Sequence, residues 1–273
     1  MAVINTNIAA TLTANALSRN DRAATQAMER LSTGLKINSA ADDAAGMAMS
    51  NTMTAQVKGL NMAVKNANDA ISMIQTADGA SIEIGDMLQR MRELGVQAVN
   101  GTLTDADRTQ LNLEYQQLMT EVTRVGTNTE WNGTALLAGS IGSSGTVTFQ
   151  IGDTAQTMNV AFGTLTAAGD LGLTGDITDS TNAAAAILDV DVAIVALNTQ
   201  RATYGAAINR LEHTVDNLSN VSMNTQAALS RIQDADYAAE STALAQTQII
   251  AQAGTAMLAQ ANQQAQTVLA LLK

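Results

Sequence analysis

The chain has 273 residues and a net charge of -11, with 46% hydrophobic but only 2% aromatic side chains. That charge argues against a nucleic-acid partner and against an anionic membrane surface. There is no Cys and no Pro, which removes disulfide and thiolate chemistry and leaves long helices uninterrupted.

Residues 1–18 carry no charged side chain. Ile4, Ile8 and Leu12, then Ala24, Met28, Leu31 and Leu35, nevertheless recur at helical spacing. The opening MAVINTNIAATL has neither the basic stretch nor the apolar core of a secretory signal. Export, if it occurs, therefore has to read something else. Asp42-Asp43 suggests a metal or acid/base pair, but neighbours on a helix point about 100° apart. No His or third carboxylate accompanies them, so they are expected to cap and solvate the start of the next helix.

That helix has a 3-4 seam of Val57, Leu60, Val64, Ala67, Ile71 and Ile74, which continues after a change of phase as Ile84, Leu88 and Met91. Asn100-Gly101 reads as its stop, and Thr104-Asp105-Ala106-Asp107 as a cap with acidic first-turn residues. A shorter seam follows in Leu111, Tyr115, Leu118, Val122 and Val125, with a turn at Asn132-Gly133. From about Gly139 to Ser180 the composition shifts to Gly, Thr, Ser and Asp. Here Val147, Phe149 and Ile151 alternate, as do Met158, Val160 and Phe162, and Gly152–Gln156 lies between them. This predicts a β-hairpin.

The longest seam starts at Ile187 and runs through Val190, Ile194, Leu197, Arg201, Tyr204, Ile208, Leu211, Val215 and Leu218. Only Arg201 in it is charged. His213, the single His, sits on this helix beside Glu212 and cannot form a zinc site alone. Residues 241–272 are again free of charge, with Ile250, Met257, Ala261, Ala265, Val268 and Leu272 at helical spacing. The fold class expected is mainly α: a long antiparallel helical coiled-coil bundle with a small β-hairpin insert, its N- and C-terminal segments paired.

A solvated helix carries charges on its outer face, so a charge-free one expects protein nearly all round it. Both ends are therefore expected to be poorly ordered in the monomer and to fold on assembly with neighbouring copies. The alternative is that they pair within one monomer as an antiparallel coiled coil. Identical subunits meeting head-to-tail without closing a ring make an open helical filament.

Several blocks carry a family resemblance. They are Ile4–Asn7, Glu29–Ala40, Asp42–Ala48, Asn66–Ser72, Gln75–Ala80, Asn128–Gly133, Ser230–Asp236 and Leu258–Gln263. In this order and at both ends, the pattern resembles bacterial flagellin over roughly residues 1–140 and 181–273. The resemblance implies a structural subunit that polymerises into the flagellar filament and gives motility, with no catalysis, metal or cofactor. Inner terminal helices would occupy 1–42 and 229–273, and a helical rod domain 43–139 and 181–228, around a short variable β-rich insert at 140–180. Ile4, Ile8, Leu12, Ile250, Met257, Val268 and Leu272 would then build the inner layer.

The resemblance further implies an extracellular protein exported without a cleaved signal peptide. Its partners would be the export apparatus, an export chaperone, and the filament cap and junction proteins. Positions Gln89, Arg90, Leu94, Gln97 and Glu114 match those contacted by the animal innate-immune flagellin receptor, with subunit contact their expected native role. The family commonly has a Pro in the final segment, where this chain reads Gln263-Gln264-Ala265-Gln266, which favours continuous helix. Competing readings are a hook–filament junction protein, which shares the terminal helices, and a helical secreted adhesin using the insert.

Overall fold

A computed structural model describes the backbone from residue 7 to residue 271 and side chains from residue 7 to residue 263. Its elements in chain order are α1 (Ile8–Thr33), α2 (Ala44–Val99), α3 (Asp105–Asn128), β1 (Glu130–Trp131), β2 (Thr134–Ala135), β3 (Thr146–Gln150), β4 (Thr157–Ala161), α4 (Ser180–Gln233) and α5 (Tyr237–Leu271). Two compact units divide them. One takes the described residues before 56 and after 223, the other Gln56–Met223.

The first unit is built on α1 and α5, which pair antiparallel. Asn7 Nδ2 donates to Ala261 O at 3.1 Å, Asn20 Nδ2 to Thr247 O at 2.8 Å, and Arg30 Nη1 meets Glu240 Oε1 at 2.9 Å. Asn7 also caps α1 by accepting from the Ala10 N–H at 3.1 Å. Gly34 ends the helix at φ 73°, a left-handed conformation that suits glycine. The chain then runs beside residues 233–235, where Lys36 N donates to Gln233 O at 2.7 Å and Ala235 N to Gly34 O at 2.9 Å. Asp43 caps α2 through the Gly46 N–H at 2.9 Å. Asp42 behaves differently from the expectation. Its carboxylate accepts from the Asn38 and Ser39 N–H groups at 3.2 and 3.0 Å and from Gln26 Nε2 at 3.0 Å, so it folds the preceding turn. Those hydrogen bonds, led by Ser39, hold its pKa below the ordinary carboxylate value.

The second unit holds the principal core. Here α4 lies antiparallel to α2. Asn61 accepts from Ser222 Oγ at 2.9 Å, Asp78 pairs with Arg201 at 2.9 Å, and Arg92 pairs with Asp191 at 2.6 Å. The Arg201 interruption of the seam is thereby matched by Asp78, which stands where the α2 seam changes phase. Val190, Leu197, Tyr204 and Leu211 share one body of buried apolar side chains with Ile74, Ile84, Leu88 and Met91 and with Tyr115 and Val122 from α3, while Leu218 packs in a smaller cluster with Leu60 and Ala63. The seams read from sequence are therefore the core.

Between α2 and α3 the turn is fastened from inside. The Arg108 guanidinium donates to Ala98 O at 2.9 Å and Asn100 O at 3.2 Å, satisfying carbonyls at the end of α2. Thr104 and Asp107 form a reciprocal capping box at the start of α3. Asn132 and Gly133, at φ 50° and 77°, make the tight turn joining β1 to β2. β3 and β4 pair antiparallel with Val147 opposite Val160 and Phe149 opposite Met158, the expected hairpin register. Tyr204 Oη anchors the insert by donating to Phe162 O at 2.5 Å, and Gln200 Nε2 donates to Ala161 O at 2.7 Å.

Candidate assembly surface

The α1–α5 pair turns inward only some of the residues its apolar spacing picks out, Ala24, Leu31 and Ala261 among them. On α1 the inward row is Ala10, Thr13, Leu17, Asn20, Ala24, Ala27 and Leu31, a strict 3-4 repeat of mostly small side chains. On α5 it is Glu240, Leu244, Thr247, Ala251, Gly254, Leu258 and Ala261. Gly254 faces Leu17, whose Cδ1 would lie 3.4 Å from a Cβ there, an ordinary van der Waals contact.

The larger apolar side chains point away. Ile8 is 65% exposed and Leu12 66%; Met257 is 63% and Ile249 66%. Of the residues expected to build the inner layer, Ile8, Leu12, Ile250 and Met257 are exposed, while Ile4, Val268 and Leu272 lie outside the residues whose side chains are described. Ile8 and Leu12 thus mark an outer row, and Ala10, Thr13, Asn20 and Ala27 of the inner row were too weakly apolar to be read. Its signal was the 3-4 recurrence of small residues.

In the other unit, Gln89, Arg90, Gln97 and Glu114 are exposed on α2 and α3. Arg90 bridges the two helices, with Glu114 at 2.9 Å and Glu93 at 3.0 Å. Hydrogen bonds to Glu114 and then Glu93 raise its pKa above the ordinary guanidinium value. Leu94 is 1% exposed and packs in the core, holding this face from within. The exposed apolar neighbours are instead Val96 and Leu113, at 53% and 59%. His213 is exposed on α4. Among the described residues, no group of three or more His, Cys, Asp or Glu side chains could hold a metal ion.

Helices that meet through a small-residue seam and keep their apolar rows outside define a self-associating helical subunit. Comparisons place it further. A model described as the bacterial flagellin N-terminal helical region matches residues 4–141, and one for the C-terminal helical region matches residues 187–272. The flagellin of Halalkalibacterium halodurans is 44% identical over 99% of this chain and 100% of its own length. That of Bacillus subtilis is 43% identical over 99% of each. The crystal structure of Bacillus cereus flagellin, 32% identical, superposes with a TM-score of 0.51 over 60% of this chain and 94% of that one. A flagellar hook-associated protein of Vibrio parahaemolyticus shares the fold at TM-score 0.60 and 13% identity, covering 71% of this chain and all of that one. The chain belongs to the bacterial flagellin family.

Proposed function

We propose that this flagellin is a structural subunit of the bacterial flagellar filament whose copies hold together by covering one another's outer α1 and α5 rows. The observation that carries this is the exposure of Ile8, Leu12, Ile249 and Met257 on helices with no charge in residues 1–18 or 241–272. Fully burying such a side chain is worth roughly 1.5–3 kcal/mol. A few of them per subunit, repeated along a polymer, are sufficient to hold it. Where the donor and acceptor faces differ and the rotation between copies does not close a ring, such a polymer stays open.

On this reading residues 1–42 and 229–273 line the inner layer, 43–139 and 181–228 form the rod, and 140–180 is a short outer insert. The role is mechanical and non-catalytic. The protein is extracellular and leaves the cell through the flagellar export apparatus with an export chaperone, then meets cap and junction proteins. Recognition of Gln89, Arg90, Gln97 and Glu114 by an animal innate-immune receptor is a consequence of their exposure in the free subunit, with Leu94 supporting that face. The small seam of the inner pair explains why it needs neighbours.

Leu12→Glu tests the reading. Leu12 is 66% exposed, so helicity and melting of the monomer should be unchanged. Elongation of filament seeds should fall at least about tenfold, since a charge would be buried without a partner. Wild-type elongation by this variant would sink the proposal.

A further inference from the structure

Two Asn-Gly pairs make turns in the second unit, and the fold sets them in different chemistry. Asn100 and Gly101 follow the last residue of α2, and both are exposed. The Asn100 side chain folds over its own turn, where Oδ1 accepts from the Thr102 N–H at 3.2 Å. The carbonyl oxygen of the Asn100–Gly101 peptide accepts from Arg108 Nη2 at 3.2 Å and from the Leu103 N–H at 3.3 Å. Asp105 takes the other guanidinium nitrogen, Nη1, at 2.8 Å. The Gly101 N–H donates to nothing among the described residues. A Cβ on Gly101 would meet no atom within 4 Å. Asn132 and Gly133 are exposed as well, but they are held at φ 50° and 77° between the paired Trp131 and Thr134. The Asn132 side chain forms no hydrogen bond among the described residues.

We propose that Asn100-Gly101 is a self-modifying site, at which the folded chain converts Asn100 to isoaspartate and aspartate through a cyclic imide. Hydroxide takes the Gly101 N–H proton and becomes water. The nitrogen attacks Asn100 Cγ, the bond from Cγ to Nδ2 breaks, and Nδ2 leaves as ammonia with a proton from water, which restores the hydroxide. Water then opens the ring at either carbonyl. Opening at Cγ gives aspartate, and opening at the main-chain carbonyl gives isoaspartate, with the backbone continuing through Cγ. The neighbouring donors each stabilise an anion on this path. Charge left on the Gly101 nitrogen is shared with Asn100 O, which the Arg108 guanidinium holds. The Thr102 N–H faces Oδ1, where charge collects as the ring closes. At Asn132, ring closure must turn the peptide out of the β1–β2 pairing, and no donor awaits its Oδ1. The new carboxylate stands at the C-terminal end of α2, where the helix dipole opposes an anion. Arg108 is the cation beside it, so the turn stays fastened while the chain gains one negative charge. The inference is independent of the filament reading.

The test incubates the full-length monomer in mildly alkaline buffer made with heavy-oxygen water and follows both Asn-Gly sites by peptide mass spectrometry. In the folded protein Asn100 should take up labelled oxygen at least about tenfold faster than Asn132, and in strong denaturant the two rates should agree within about threefold. Isoaspartate should appear among the Asn100 products, since only ring opening forms it. Gly101→Ala, whose methyl group has open space, should melt like wild type and lose at least about tenfold of the Asn100 rate, because the methyl hinders the attacking nitrogen. Thr102→Pro lacks the N–H that faces Oδ1, so it should slow Asn100 at least about threefold in the folded protein and leave the denatured rate unchanged. Should the proline disturb the turn, the wild-type comparison decides alone. Folded Asn100 reacting no faster than Asn132 would overturn the inference, as would aspartate formed without isoaspartate. An unchanged folded rate in a Thr102→Pro variant that melts like wild type would overturn it too.

Discussion

The two units use the same helical grammar to opposite ends. In Gln56–Met223 the 3-4 seams are filled with Ile, Leu, Met and Tyr, and Ile74, Ile84, Leu88, Met91, Tyr115 and Tyr204 are fully or almost fully buried. In the pair of α1 and α5 the seam sets Leu17, Leu31, Leu244 and Leu258 among Ala, Thr, Asn and Gly, Asn20 and Ala27 are the buried residues of α1, and Ile8, Leu12, Ile249 and Met257 face outward. Burial of large apolar side chains stabilises a fold by itself. Burial of small ones sets backbone distance and leaves most of the apolar area unspent. The contrast predicts a body that is stable alone beside one whose stability is completed by other copies.

Hydrogen exchange is the measurement most able to break that comparison. Two helices that share a small-residue seam open locally at far lower free energy than helices closing a core. Amides of residues 244–258 in the monomer should exchange at least roughly 100-fold faster than those of residues 84–98, and should become protected in filaments. Equal protection of the two segments in the monomer would refute the division, because the terminal pair would then be stable without neighbours.

How much of this was readable in advance follows the same division. Periodicity located the core of the second unit nearly residue by residue, since Val190, Leu197, Tyr204 and Leu211 are large enough to mark their own burial. The turn chemistry of Thr104–Asp107 and Asn132-Gly133, and the alternation in the hairpin, were equally plain because each conformation demands those residue types. At α1 periodicity left open what covers the apolar face. Ile8 and Leu12 announced an apolar face, but a hydrophobic row reports only that something will cover it, whether the same chain or the next. The role of Arg108 was invisible for another reason: a cation that caps a helix from ten residues away leaves no local pattern.

A finer test compares two tyrosines within the stable unit. Tyr204 donates to Phe162 O, and its ring lies 5.8 Å from that of Phe162, so its hydroxyl ties the insert to α4. The Tyr115 hydroxyl is buried and finds no hydrogen-bond partner among the described residues. Burial, with a smaller contribution from Asp189, pushes its pKa up to about 12. Tyr204→Phe should cost about 1 kcal/mol, the usual net worth of one hydrogen bond. Tyr115→Phe should be neutral or stabilising by up to about 1 kcal/mol, because it removes an unsatisfied polar atom and keeps the ring. Thermal melts of the two variants check this. Equal losses from both would show that the Tyr115 hydroxyl is satisfied in solution.

The smallest effect concerns the cap that begins α3. Thr104 donates to the Asp107 carboxylate from its hydroxyl at 2.7 Å and from its N–H at 3.0 Å. The hydroxyl bond first, then the backbone bond, lowers the Asp107 pKa below the ordinary aspartate value of 3.8. A group whose folded pKa is depressed adds stability that is fully present above its unfolded pKa and is lost as pH falls through its folded one. The stabilisation from Asp107 is therefore complete above the unfolded value of 3.8 and fades as the medium grows more acidic than that. Asp42 and Glu121 are lowered as well, so wild type alone would report all three. The difference in melting temperature between wild type and Asp107→Asn isolates the cap, since the variant has no proton to bind. That difference should favour wild type at about pH 5 and shrink toward zero by about pH 2.5. A gap of constant size across the range would mean that Thr104 holds the amide as firmly as the carboxylate, and that shape rather than charge starts the helix.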